Sequence, residues 1–121
     1  QETEEITKNN KTLNLVFAFN YGSHKEIHNA VLNLHNENIN KNLELADIES
    51  SLYKYFQYPE VPFPDVLLRT AGEKRISNFL LYQLSYTELI FIDTLWPDVN
   101  EDILDDVLLE FNTRNRTYGK N

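Results

Sequence analysis

Asp65-Val66-Leu67-Leu68-Arg69-Thr70-Ala71-Gly72-Glu73-Lys74-Arg75-Ile76-Ser77-Asn78-Phe79-Leu80-Leu81-Tyr82-Gln83-Leu84 runs from one apolar segment to another through a short polar loop. The pattern predicts a strand over 65–69, a loop, and a helix from Asn78 to about Tyr86. Arg69, Lys74 and Arg75 crowd that loop. Guanidinium forks bind phosphate oxygens bidentately, and a helix N-terminus presents free N–H groups with a partial positive charge. Ser77 stands where an N-cap would, its hydroxyl beside those N–H groups. The loop is therefore expected to form an anion pocket sized for a phosphate or diphosphate.

The balance of charge makes this cluster specific. The chain has 11 Lys+Arg against 19 Asp+Glu, a net charge of −8. Arginine occurs only at 69, 75, 114 and 116, so half of it falls inside one short loop. A nucleic-acid surface needs basic residues spread over a face, which argues against such a partner here. The plainer reading of Arg69 and Arg75 is a pair of surface arginines in salt bridges with Glu73 and Asp65. Cysteine is absent, which leaves no disulfide framework and no thiolate chemistry. No apolar run approaches the ~20 residues of a membrane-spanning helix. At 121 residues the chain is one domain at most. Methionine is missing even from position 1, so the chain is expected to be a piece of a longer or processed protein.

Along the chain, Glu2 to Asn10 reads as the polar tail of a helix. Leu13-Asn14-Leu15-Val16-Phe17-Ala18-Phe19 predicts a strand buried on both faces, ending in the turn Asn20-Tyr21-Gly22. Ser23 and Glu26 have the spacing of a capping box, opening a helix with Ile27, Val31 and Leu34 on one face. Asp47 is expected to cap a second helix through Tyr55, closed by Pro59, Pro62 and Pro64. Leu89-Ile90-Phe91-Ile92 predicts a third strand. Asn100 caps the final helix, with Glu101 and Asp102 in its first turn and Arg114 and Arg116 in its last. Its Ile103, Val107, Leu108 and Phe111 form a face for core or dimer contact. His24 and His28 stand four apart, but without the glutamate of a His-Glu-x-x-His pattern they read as solvated. Strands separated by helices predict an α/β fold with a parallel sheet flanked by helices. Ligands of such sheets bind at the carboxyl ends of the strands, where both Arg69 and Asn20 fall.

The run 67–83 resembles the signature of the cis-prenyltransferases, the undecaprenyl and dehydrodolichyl diphosphate synthases. Asn20-Tyr21-Gly22, Tyr86-Thr87-Glu88-Leu89, Leu95-Trp96-Pro97-Asp98 and Arg114-Asn115-Arg116-Thr117-Tyr118-Gly119 resemble it too, in family order and spacing. The likeness covers residues 1–121 as the C-terminal half of a single domain. It implies elongation of an allylic diphosphate, such as farnesyl diphosphate, by isopentenyl diphosphate, with Z double bonds, Mg2+ and a polyprenyl diphosphate product. By position, Arg69, Arg75 and Ser77 would hold isopentenyl diphosphate and Glu88 would serve the metal. Asn20, Glu73 and Asn78 would support the site. The family is dimeric, so a homodimer is expected, with a heterodimer as the variant. A cytoplasmic setting follows, peripheral to a membrane through the lipid product (the endoplasmic reticulum in a eukaryote).

Departures from the pattern sharpen this expectation. Ser23-His24 stand where the family usually has Gly-Arg, leaving Lys25 as a nearby cation, and Lys74 replaces the usual His or Gln. The family's Asp-Gly-Asn signature for the allylic diphosphate is absent from these residues. Glu88 falls at the start of its strand, away from the Arg69 rim, so dimerisation would have to bring it to a partner's site. Phe17, Phe19, Tyr82 and Phe91 are read as core, with the lining of a prenyl tunnel as the other possibility. Two further readings are a non-catalytic partner subunit of the same fold and a general anion-binding α/β module. Lacking half of its sheet, the isolated chain is expected to be unstable unless completed.

Overall fold

The computed structural model describes residues 2–115. Arg116, Thr117, Tyr118 and Gly119 of the closing motif lie outside the described residues. Helix α1 spans Glu2–Thr7, α2 Ser23–Glu37, and α3 Leu45–Ser51, which runs on as a 3-10 turn over Leu52–Tyr55. Strands β1 (Val66–Arg69) and β2 (Glu88–Phe91) follow, then a 3-10 turn at Trp96–Asp98 and helix α4, Glu101–Thr113. The two strands pair in parallel, with Val66 opposite Glu88 and Arg69 opposite Phe91. Ile92 N–H donates to the Arg69 carbonyl at 2.9 Å, and Glu88 N–H to the Asp65 carbonyl at 3.0 Å, carrying the ladder past both ends. The parallel α/β class expected from the apolar strands is thus what forms.

The core gathers around β2. Ile90, Val107 of α4, Leu84, Phe56, and Ala30 and Leu34 of α2 are buried. Phe56 and Tyr82 meet edge-to-face at 5.0 Å, and Tyr53 and Phe63 do the same at 5.0 Å. Such pairs fix ring orientation as well as burying area. Together they draw the proline segment and the 3-10 turn onto the residues that follow the basic loop. The end of α2 joins them through Glu37, whose carboxylate accepts from the Tyr55 hydroxyl at 2.6 Å.

Several expectations need correction. Residues 13–19 form no strand among the described residues: Phe17 and Phe19 are 80% and 95% exposed. A strand needs a neighbour for its backbone groups, and the β1–β2 sheet does not reach this segment. Phe19 N–H turns back to the Phe17 carbonyl at 3.1 Å instead. The helix expected over 78–86 is a chain of turns, because Ser77, Asn78 and Leu80 all take positive φ (47°, 62° and 47°). Val31 points to solvent, and the buried stripe of α2 is Ser23, Glu26, Ala30 and Leu34. Asp47 does not cap α3 alone: Glu44 is the N-cap, and Asp47 completes the box by accepting from the Glu44 N–H at 3.1 Å. Leu108 of α4 is exposed rather than core. Asn100 does cap α4, its side chain accepting from Ile103 N–H at 3.1 Å.

Truncation of Ile90 to Ala in the full-length protein is expected to cost about 2–5 kcal/mol, as for other buried isoleucines. Asn100→Ala should cost about 1 kcal/mol by stripping one cap. Both losses are read as lower urea midpoints at unchanged slope.

Candidate functional site

The basic loop begins where β1 ends. Ala71 N–H donates to the Thr94 carbonyl and Gly72 N–H to the Ile92 carbonyl, both at 2.9 Å, so the loop is tied to the continuation of β2. Gly72 has φ +68°, and a Cβ there would stand 3.1 Å from an Asp93 carboxylate oxygen. The positive φ is what favours glycine here, and an added Cβ would also press the Asp93 carboxylate aside.

Arg69 folds across this loop. Its guanidinium donates to the Ser77 hydroxyl oxygen at 3.2 Å and to the Arg75 carbonyl. Arg75 pairs with Glu73, both side chains facing solvent. Arg69, the Ser77 hydroxyl and the Arg75 carbonyl thus meet at the carboxyl end of β1, while the Arg75 side chain makes the ion pair with Glu73 that the plainer reading expects. An exposed pair of this kind is weakly held, so a diphosphate could draw the Arg75 guanidinium away from Glu73. The expected helix dipole behind the pocket is missing, since no helix starts at Ser77. Ser77 is a hydroxyl partner of Arg69, not an N-cap.

Asn78 supports the loop from the other side. Helix α2 starts after Gly22, which has no side chain to cap it. Asn78 takes that role from 54 residues away: its Oδ1 accepts from His24 N–H at 2.9 Å, and its carbonyl accepts from Ser23 N–H at 2.8 Å. A Cβ on Gly22 would come within 3.0 Å of the Asn78 amide nitrogen. Asn20, the other supporting residue expected from the motif, is a solvent-exposed turn residue with φ 52°.

The capping box read from Ser23 and Glu26 is replaced by longer-range contacts. The Ser23 hydroxyl accepts from Leu81 N–H at 2.9 Å. The Glu26 carboxylate accepts from Gln57 N–H at 3.1 Å, from the Gln83 amide at 2.9 Å and from the Tyr21 hydroxyl. Burial and the hydrogen bond to Glu26 push the Tyr21 phenol up to about 12. A cavity of about 200 Å3 opens beside these groups, lined mainly by apolar side chains such as Val16, Pro62 and Phe79. Gln83 Oε1, buried at its edge, has no hydrogen-bond partner among the described residues. Ser23, Glu26 and Gln83 escaped the sequence reading as site supports. The signal for Ser23 and Glu26 was the spacing 23, 26, 30, 34, a single helical stripe with polar residues at its head; Gln83 had none.

Glu88 lies elsewhere. It opens β2 opposite Val66, three residues and about 10 Å along the sheet from the Arg69 end. Its carboxylate accepts from Arg114 at 2.8 Å, and Arg114 also pairs with Glu110. These two carboxylates, Glu88 first, raise the Arg114 pKa above its ordinary value. No group of three or more His, Asp or Glu side chains forms a metal cluster among the described residues.

A parallel sheet with an arginine-serine cluster at its carboxyl end defines an α/β protein with a candidate anion site. The prenyltransferase family described as undecaprenyl diphosphate synthase matches residues 1–119, and the chain belongs to that family. A chloroplastic nerylneryl diphosphate synthase of Solanum lycopersicum is 45% identical over 117 residues, covering 97% of this chain and 37% of that protein. The ditrans,polycis-undecaprenyl-diphosphate synthase of Micrococcus luteus is 42% identical over 119 residues, 98% of this chain and 48% of that one. Among solved structures, lavandulyl diphosphate synthase from Lavandula x intermedia in complex with dimethylallyl diphosphate superposes with a TM-score of 0.88 at 33% identity. That match covers 98% of this chain and 52% of the other. The chain therefore spans about half the length, or less, of the relatives it matches.

If the phenol is held as described, one tyrosine of the full-length protein should ionise near pH 12 by ultraviolet absorbance, and Tyr21→Phe should remove it. The sign follows from a raised folded-state value: the stabilisation is complete below pH 10 and fades between 10 and 12. The wild type should therefore lose stability relative to Tyr21→Phe across that window.

Proposed function

We propose that the protein containing this chain is a cis-prenyltransferase that condenses isopentenyl diphosphate onto an allylic diphosphate, such as farnesyl diphosphate, to build a Z-polyprenyl diphosphate. The observation that carries this reading is the Arg69 guanidinium set between the Ser77 hydroxyl and the Arg75 backbone carbonyl at the carboxyl end of β1. Arg69 and Arg75 bind the diphosphate of isopentenyl diphosphate, and the Ser77 hydroxyl donates to one of its oxygens. With the head group fixed, the homoallylic double bond is aimed at the allylic carbon. The allylic C–O bond breaks as the new C–C bond forms, diphosphate leaves, and a proton is lost from the isopentenyl unit. Holding both reactants in line removes the entropic part of the barrier, and the guanidinium groups stabilise the charge on diphosphate oxygens.

Mg2+ suits this chemistry, because a hard cation takes one or two carboxylates together with substrate phosphate oxygens. Glu88 is the carboxylate this chain offers, and when bound the ion would offset diphosphate charge. Since Glu88 and Arg69 sit at opposite ends of their strands, we assign Glu88 to the site of a second protomer in a homodimer. Arg114 would keep the carboxylate ordered until then. The lipid product would bring an otherwise cytoplasmic enzyme to a membrane surface. A non-catalytic subunit of the same fold would have no use for a preserved Arg69-Arg75-Ser77 set.

Calorimetry on the full-length protein tests the pocket: isopentenyl diphosphate should bind in the presence of Mg2+, and Arg75→Ala should weaken binding at least tenfold. Unchanged affinity in Arg75→Ala would overturn the assignment. Mixing Glu88→Ala with Arg75→Ala protomers should restore turnover to one site per mixed dimer. Two separately dead variants that stay dead when mixed would put Glu88 in its own protomer's site or in none.

A further inference from the structure

We infer that Ser23 is a positioning residue for the diphosphate pocket, acting through the left-handed turn that carries Ser77; the inference rests on the pocket reading above. Ser23 is wholly buried, and its hydroxyl accepts the Leu81 N–H at 2.9 Å. Its own N–H donates to the Asn78 carbonyl at 2.8 Å. One residue therefore grips the turn on both sides of Phe79. The turn needs gripping, because Ser77, Asn78 and Leu80 all adopt positive φ without being glycine. Such conformations persist only where surrounding contacts over-determine them.

The contacts that do so here come from the first turn of α2. His24 N–H holds the Asn78 side chain, Ser23 holds the Asn78 carbonyl and the Leu81 N–H, and Glu26 holds the Gln83 amide. Phe79 is pinned as well, its ring edge-on to Tyr21 at 5.7 Å. Ser77 itself is exposed, and its only hydrogen bond described is the one from Arg69 at 3.2 Å. Its position relative to Arg69 is thus set by what anchors residues 78–81. With the Ser23 hydroxyl removed, the half-buried Leu81 N–H loses its acceptor, and the turn is freed at its far side, so that Asn78 and the Ser77 before it are held by the backbone contact of residue 23 and the His24 N–H alone.

The test measures binding of inorganic diphosphate and of isopentenyl diphosphate, together with KM and kcat, on the full-length protein. Ser23→Ala should weaken both affinities and raise KM for isopentenyl diphosphate about tenfold, with kcat within a factor of two. In a Ser77→Ala background the same change should have almost no further effect, since Ser23 acts through Ser77. Val107→Ala, a core truncation in α4, controls for lost stability and should leave affinity unchanged at a comparable fall in Tm. Unchanged affinity in Ser23→Ala, or full additivity with Ser77→Ala, would overturn the inference. A wild type that binds diphosphate with the expected Ser23 dependence but condenses nothing would overturn the proposed reaction and leave the positioning role standing. A wild type that binds neither diphosphate would overturn both.

Discussion

Two N–H groups at the start of α2 have no local acceptor, and the way they are satisfied organises everything around the loop. Gly22 leaves room at the helix end, and Asn78 fills that room with its carbonyl and its side-chain oxygen. A helix cap normally comes from the adjacent residue and is a local matter. Here it is a tertiary contact between segments 54 residues apart. The helix cannot start properly without the turn, and the turn cannot hold three positive-φ residues without the helix. Each such residue costs on the order of 1–3 kcal/mol when unsupported, so the two elements are expected to order together.

The parallel pairing of β1 and β2 does the complementary job. It sets Arg69 at one end of the sheet and Glu88 at the other, with Ile90 buried between. Parallel strands point their functional ends the same way, so residues at opposite ends of neighbouring strands stay apart in one protomer. Within one protomer the Glu88 carboxylate therefore stays at the rim opposite Arg69. Arg114 gives that carboxylate a defined partner there.

Much of this was legible from residue order. The two short strands, the cap at Asn100 and the grouping of Arg69, Arg75 and Ser77 follow from apolar runs, a single asparagine and charge spacing. The failures share one cause, which is that local signals were overridden at long range. Ser23 and Glu26 have capping-box spacing, yet their side chains are drawn to Leu81, Gln57, Gln83 and Tyr21. Residues 78–86 have helical composition, yet Asn78 serves another helix and bends out of helical geometry to do so. Residues 13–19 have strand composition, but a strand exists only where a neighbour accepts its backbone hydrogen bonds. No periodicity in one segment records which distant group will claim it.

The segment Leu13–Phe19 has a consequence beyond the architecture. It is seven residues of high β-propensity with no charge, no proline and no glycine, and its two phenylalanines stand in solvent. Those are the properties of a sequence that stacks with copies of itself into cross-β assemblies. A contact that covered this segment in the full-length protein would also act as its protection against aggregation. A mutation that merely loosened such a cover would then be felt first as lost solubility, before any change at the Arg69 loop.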